Sequence, residues 1–164
     1  MSESVKDCGG VTLNSTWMKE DQMDVGIRVF IDTAPFIYLI ENHPVFGAPT
    51  EQYLSTCVEN ESMLFTSVIS YLEFCVVPLR EKRHDIIEKF EELLADLSIE
   101  MQSIDLVNAK YASQLRSQYA FLKTADAIQL AMAVTNKCNI FLTNDEDLSS
   151  IKEINTLVIS KIEK

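Results

Sequence analysis

The chain offers little to a membrane. No stretch approaches the ~18 apolar residues that a bilayer span requires, and the first thirty residues hold no basic start leading into an apolar run. Neither a membrane helix nor a secretory leader is expected, and the cytoplasm is the default location. Cysteine is sparse and scattered: Cys8, Cys57, Cys75 and Cys138 form no CxxC pair, and neither His43 nor His84 stands beside one. A zinc site needs clustered soft ligands, so that class is excluded. Cys57, Cys75 and Cys138 fall in apolar patterns, as buried thiols of a reducing compartment do. Positive charge is also scarce, with 14 Lys and Arg against 25 Asp and Glu and a net charge of −11. Nucleic-acid binders normally carry a basic face. If this chain handles phosphate, a metal ion or a local basic patch must bring it in; an acidic surface also suits a basic protein partner.

What is present is the material of one globular domain. The 164 residues are 47% hydrophobic and 24% charged, enough for a sizeable core. Residues 1–26 are polar, contain Gly9 and Gly10 and lack a sustained period, so they are read as a flexible N-terminal extension, with the domain over 27–164. No internal repeat or low-complexity tract appears. From Arg28 the pattern becomes orderly. Short apolar runs at 28–31 (RVFI), 63–66 (MLFT), 99–104, 139–143 (NIFLT) and 156–159 (TLVI) predict strands. Between them, helices are predicted over 35–41, 49–60, 67–77, 84–97, 106–121 and 125–136. Buried strands alternating with helices indicate an α/β fold with a mainly parallel sheet between helical layers. The basic cluster Arg80, Lys82 and Arg83, diluted by Glu81 and Asp85, reads as a solvated link between helices, and Tyr111 and Tyr119 read as core residues.

In open parallel sheets, ligands bind beyond the carboxyl ends of the strands. Asp32 directly follows the first strand, Asp145 follows NIFLT, and Glu73 lies about two turns into the helix leaving MLFT. Asp126 reaches the same level by chain geometry. The helix over 125–136 descends roughly 18 Å at 1.5 Å per residue, and the strand that follows climbs back roughly 20 Å at 3.3 Å per residue. Each acid has a plain structural role open to it. Asp32 and Asp145 could cap helices or turns, Ser70 and Glu73 have capping-box spacing, and Asp126 favours a helix N-terminus. Those roles do not explain why four acids should share one edge. Two carboxylates ~4 Å apart repel by about 4 kcal/mol at an effective dielectric of 20, so such a cluster needs protons, water or a cation. All-oxygen donors suit Mg2+ or Mn2+, and phosphodiester hydrolysis is the chemistry such ions support.

These segments are familiar. RVFIDTAPFIYLIE, SVISYLEF, LKTADAIQLAMAV and FLTNDEDL resemble, in order, the four motifs of the PIN-domain family, across residues 28–159. The resemblance places Asp32, Glu73, Asp126 and Asp145 at the family's catalytic and metal-binding acids, with Thr143 and Asn144 on the core of the fourth motif. Asp147 is an added ligand or a cap, and the cap is favoured. The resemblance implies a PIN-like three-layer α/β fold and a Mg2+- or Mn2+-dependent endoribonuclease acting on RNA. It looks most like the VapC-type toxins of toxin–antitoxin pairs, usually homodimers silenced by an antitoxin whose tail covers the pocket. Three positions depart from common usage: Ala34, where many relatives have Asn or Ser; Leu148, often aromatic; and Gln129, often His. None is a metal-facing acid. A haloacid-dehalogenase phosphatase is excluded because Ala34 stands where its second Asp belongs, and a receiver domain lacks its paired acid. The remaining alternative is a PIN-like module that binds RNA or protein but cleaves weakly or not at all.

Overall fold

The computed structural model describes residues 26–162. The expected extension over 1–26 lies, Gly26 apart, outside the described residues. Within these residues five strands form one sheet: β1 (Arg28–Ile31), β2 (Met63–Ser67), β3 (Glu100–Gln102), β4 (Ile140–Thr143) and β5 (Asn155–Val158). Their spatial order is β3-β2-β1-β4-β5 and every pairing is parallel, so all carboxyl ends lie along one edge. Among the described residues six α-helices cover the two faces: α1 (Thr33–Ile40), α2 (Gly47–Glu59), α3 (Val68–Arg80), α4 (His84–Asp96), α5 (Leu106–Gln118) and α6 (Thr124–Thr135). Among the described residues no helix is long and apolar enough to cross a membrane.

The strand pattern creates the three layers. Side chains alternate across a strand: Val29 and Ile31 of β1 join Leu64, Ile140 and Leu142 on one face, packed against Phe36, Leu54, Phe74 and Phe90 of α1 to α4. Phe30, Phe65 and Phe141 point the other way, onto Leu115, Leu130 and Met132 of α5 and α6. Because both faces are covered, β1 and β4 read as continuous apolar runs rather than alternating ones. The central strand β1 thereby acquires the least freedom to move, and the residue that follows it inherits that rigidity.

The expected elements are all present, with shifted ends. α3 runs through buried Pro78 to Arg80 instead of stopping at Val77. Proline in the last turn forfeits one helix hydrogen bond, while its ring packs inside. α5 ends at Gln118, three residues early, because the chain must turn for Leu122 to be buried before α6 begins. β3 is three residues rather than six, a short edge strand paired on one side only. The 80–83 segment is the exposed link expected, with Arg83 paired to its neighbour Asp85 at 2.8 Å. Tyr111 and Tyr119 pack against the second core cluster. Cys57 and Cys75 are buried, and Cys138 is half-buried.

Phe30 and Phe141 stack from adjacent strands with ring centroids 5.5 Å apart. Replacing Phe141 with Ala is expected to destabilise the domain by about 3–5 kcal/mol, measured as a lower urea midpoint with an unchanged slope.

Candidate active site

Asp32 is placed by the sheet itself. Its backbone N–H donates to Leu142 O at 3.0 Å, extending the β1–β4 pairing one residue beyond the strand. Its side chain then does two things. Oδ1 accepts from Thr33 N at 2.7 Å, capping α1, and Oδ2 accepts from Thr143 Oγ1 at 2.6 Å. Capping and site geometry therefore coexist. Burial pushes the carboxyl up to about 6 although the Thr143 and Thr33 hydrogen bonds pull it down; the negative charges of Asp126 and Glu73 raise it further.

Glu73 is the sixth residue of α3. The helix is capped by Ser67, whose Oγ accepts from Ser70 N at 3.1 Å, so Ser70 and Glu73 do not form the capping box their spacing allowed. Instead Glu73 Oε2 accepts from Thr33 Oγ1 at 2.5 Å and from Gln129 Nε2 at 3.3 Å. Asp126 sits in the first turn of α6, half-buried. Burial raises its pKa, Lys123 opposes the shift, and the charges of Asp145 and Glu73 add to it. Asp145 is exposed beyond β4; its Oδ1 accepts from Asp147 N at 3.0 Å and caps the 3-10 turn Glu146–Ser150. The cap expected at Asp147 is thus made by Asp145, because the turn starts one residue after it; Asp147 itself is exposed in that turn.

Thr143 ties two acids together. Its hydroxyl donates to Asp32 and accepts from Asp145 N at 3.1 Å, so one buried side chain sets the spacing between the ends of β1 and β4. Asn144 works as an anchor: Nδ2 donates to Tyr38 Oη at 3.0 Å and Oδ1 accepts from Ser160 N at 2.9 Å. Thr33 and Ser70 escaped the sequence reading. The only signal for Thr33 was a hydroxyl directly after the first acid, and Ser70 resembled a capping residue.

The charges of the four acids thus act on one another along one edge of the sheet, with Asp145 at its exposed side. Among the described residues, no three His, Cys, Asp or Glu side chains stand close enough to hold an ion by themselves. The donor chemistry still fits a hard cation whose shell is completed by water and phosphate, which is how Mg2+ commonly binds to one or two carboxylates. A cavity of about 540 Å³ lies elsewhere, between the end of α1, the start of α2 and the end of α4, and is lined by Leu39, His43, Leu54 and Leu93 among others; none of the four acids borders it.

A carboxyl whose folded pKa is raised contributes stability that is fully present below the ordinary carboxylate range and is lost as pH rises through about 6. Metal-free protein is therefore expected to lose about 1 kcal/mol from Asp32 between pH 5 and pH 7. Urea unfolding of wild type and Asp32→Asn at both pH values checks this: the substitution should remove that part of the pH dependence.

The model of the PIN domain matches residues 29–154. No curated protein matches the chain in sequence. Among solved structures, VapBC2 from Rickettsia felis bound to a DNA fragment from its promoter is similar with a TM-score of 0.69 and 16% identity, over 80% of this chain and 98% of that one. VapBC-1 from nontypeable Haemophilus influenzae gives 0.65 and 14%, over 82% and 100%. VapC20 of Mycobacterium tuberculosis, a sarcin-ricin loop cleaving toxin, gives 0.61 and 13%, over 77% and 98%. At these identities the likeness is one of fold. With a family match across residues 29–154 and a parallel sheet between two helical layers, the chain belongs to the PIN-domain family.

Proposed function

We propose that this protein is a metal-dependent endoribonuclease that hydrolyses RNA phosphodiester bonds, the toxin of a toxin–antitoxin pair, working in the cytoplasm. The observation that carries the reading is that Thr33 and Thr143 tie Asp32 by hydrogen bonds to Glu73 and Asp145, with the charges of Glu73 and Asp145 acting on Asp126 beside them and desolvation raising Asp32 to about 6. A pocket that disfavours its own negative charge is one that a cation stabilises. Mg2+ or Mn2+ bound there would polarise the phosphodiester and lower the pKa of an attacking water.

The chain's own residues supply the positioning. Asp32 is held at both oxygens, by Thr33 N and Thr143 Oγ1, so its orientation is set before any ion or substrate arrives. Glu73 is held at Oε2, which leaves Oε1 without a donor among the described residues. Asp126 faces Glu73 and Asp145 electrostatically, and exposed Asp145 lies at the solvent side, where RNA would approach. The metal answers the objection raised by a net charge of −11, since it brings the positive charge that the surface lacks. The same acidic mouth suits a basic tail of an antitoxin, which would compete with substrate.

A homodimer fits the outer face of α3. Val68, Leu72, Val76 and Leu79 are spaced by four, four and three residues, so they share one side of the helix. They stay exposed, Leu72 at 59% and Leu79 at 54%. A row of that kind on the helix that carries Glu73 is the surface on which a second copy would dock. Leu72→Glu is expected to convert dimer to monomer in sedimentation velocity, while metal-free stability changes little.

Cleavage of single-stranded and structured RNA should require Mn2+ or Mg2+, stop with EDTA, and fall at least about 100-fold in Asp126→Asn and Asp145→Asn. Equal background in wild type, variants and EDTA would instead favour a binding module that kept its acids.

A further inference from the structure

Behind the acidic edge, the Gln129 that donates to Glu73 is itself held by a second buried polar side chain. Ser70 is on α3 and Gln129 on α6, and both are buried, Gln129 at 1% exposure. Ser70 Oγ donates to Gln129 Oε1 at 2.8 Å, and Gln129 Nε2 donates to Glu73 Oε2 at 3.3 Å. Ser70 is fixed in turn by Ser67, whose Oγ accepts from Ser70 N at 3.1 Å and lies 3.4 Å from Ser70 Oγ. A line of hydrogen bonds therefore runs from the cap of α3 through the interior to the carboxylate on the same helix.

The line has a direction. A glutamine amide offers an acceptor at one end and donors at the other. With the Ser70 proton on Oε1, the N–H end meets Glu73; the reverse would set two oxygens against each other. Glu73 Oε2 thus receives both Gln129 and Thr33, while Oε1 receives no donor among the described residues. Folding alone gives little reason for the pair, because replacing both partners of a buried hydrogen bond by apolar groups of similar shape is nearly neutral.

We propose that Ser70 and Gln129 form a positioning relay that fixes Glu73 with Oε2 bound to protein and Oε1 kept for a divalent cation. The relay rests on the metal-centre reading above. It also gives Gln129 a role where a histidine would serve as well: one ring nitrogen accepts from Ser70 and the other donates to Glu73. Partners of this kind, one step removed from an ion, commonly set its affinity by 10–100-fold.

Mn2+ binding to the full chain by titration calorimetry at pH 8 tests the relay, with metal-free melting temperature and RNA cleavage recorded for each variant. Gln129→Leu is expected to weaken Mn2+ binding by about 10-fold or more, and the Ser70→Ala, Gln129→Leu double variant by the same factor, since the two act as one unit. The double variant's metal-free melting temperature should stay close to wild type, whereas Gln129→Leu alone, which leaves the buried Ser70 hydroxyl without its acceptor, should melt lower; Gln129→His should restore affinity, and the cleavage rate of Gln129→Leu should recover at saturating Mn2+. Wild-type binding matched by folded Gln129→Leu, or a loss that Gln129→His leaves unrepaired, overturns the relay alone. Wild type that binds no Mn2+ removes the metal centre and the relay with it.

Discussion

The structure turns on one carboxylate held at the end of the central strand and largely desolvated there. Asp32 follows the central strand of a parallel sheet, and its backbone is still part of the β1–β4 ladder. Its side chain therefore cannot relax into water as a loop residue would, and burial dominates its ionisation. Everything adjacent to it answers that constraint: Thr33 N and Thr143 Oγ1 supply hydrogen bonds, while Glu73 and Asp126 add charge of the wrong sign. Proteins accept such local conflict where a site must be held ready.

The hydrogen bonds around the acids divide the work between elements. Thr33 stands between Asp32 and Glu73, giving its N–H to one and its hydroxyl to the other, so α1 links the ends of β1 and α3. Thr143 does the same for Asp32 and Asp145. Asn144 fixes the exit of β4 against Tyr38 on α1. Two threonines thus organise what the acids alone would drive apart. Lys123 opposes the upward shift of Asp126.

Much of this was legible before any coordinates. Continuous apolar runs such as RVFI and NIFLT identify strands buried on both faces, and from them the parallel sheet and the level of Asp32 and Asp145 follow. The position of Asp126 followed from helix and strand rise. What escaped depended on side-chain direction rather than on periodicity. Ser70 and Glu73 have the spacing of a capping box, yet Ser67 makes the cap and frees Ser70 to face Gln129. Gln129 was visible only as a departure from the common histidine, because nothing in a sequence shows that residues 59 apart share a hydrogen bond. Element ends shifted where tertiary packing decided them, as at Pro78 and Leu122.

If the four acids serve as one cation-binding edge, an ion must be found there. Anomalous diffraction from crystals grown with Mn2+ tests it most directly. The account predicts a peak at coordination distance, about 2.2 Å, from a carboxylate oxygen of Asp32 or Glu73, with Asp126 or Asp145 reaching the same ion directly or through water. A well-ordered, metal-saturated crystal with no peak along that edge, or with its only peaks elsewhere on the acidic surface, would contradict it.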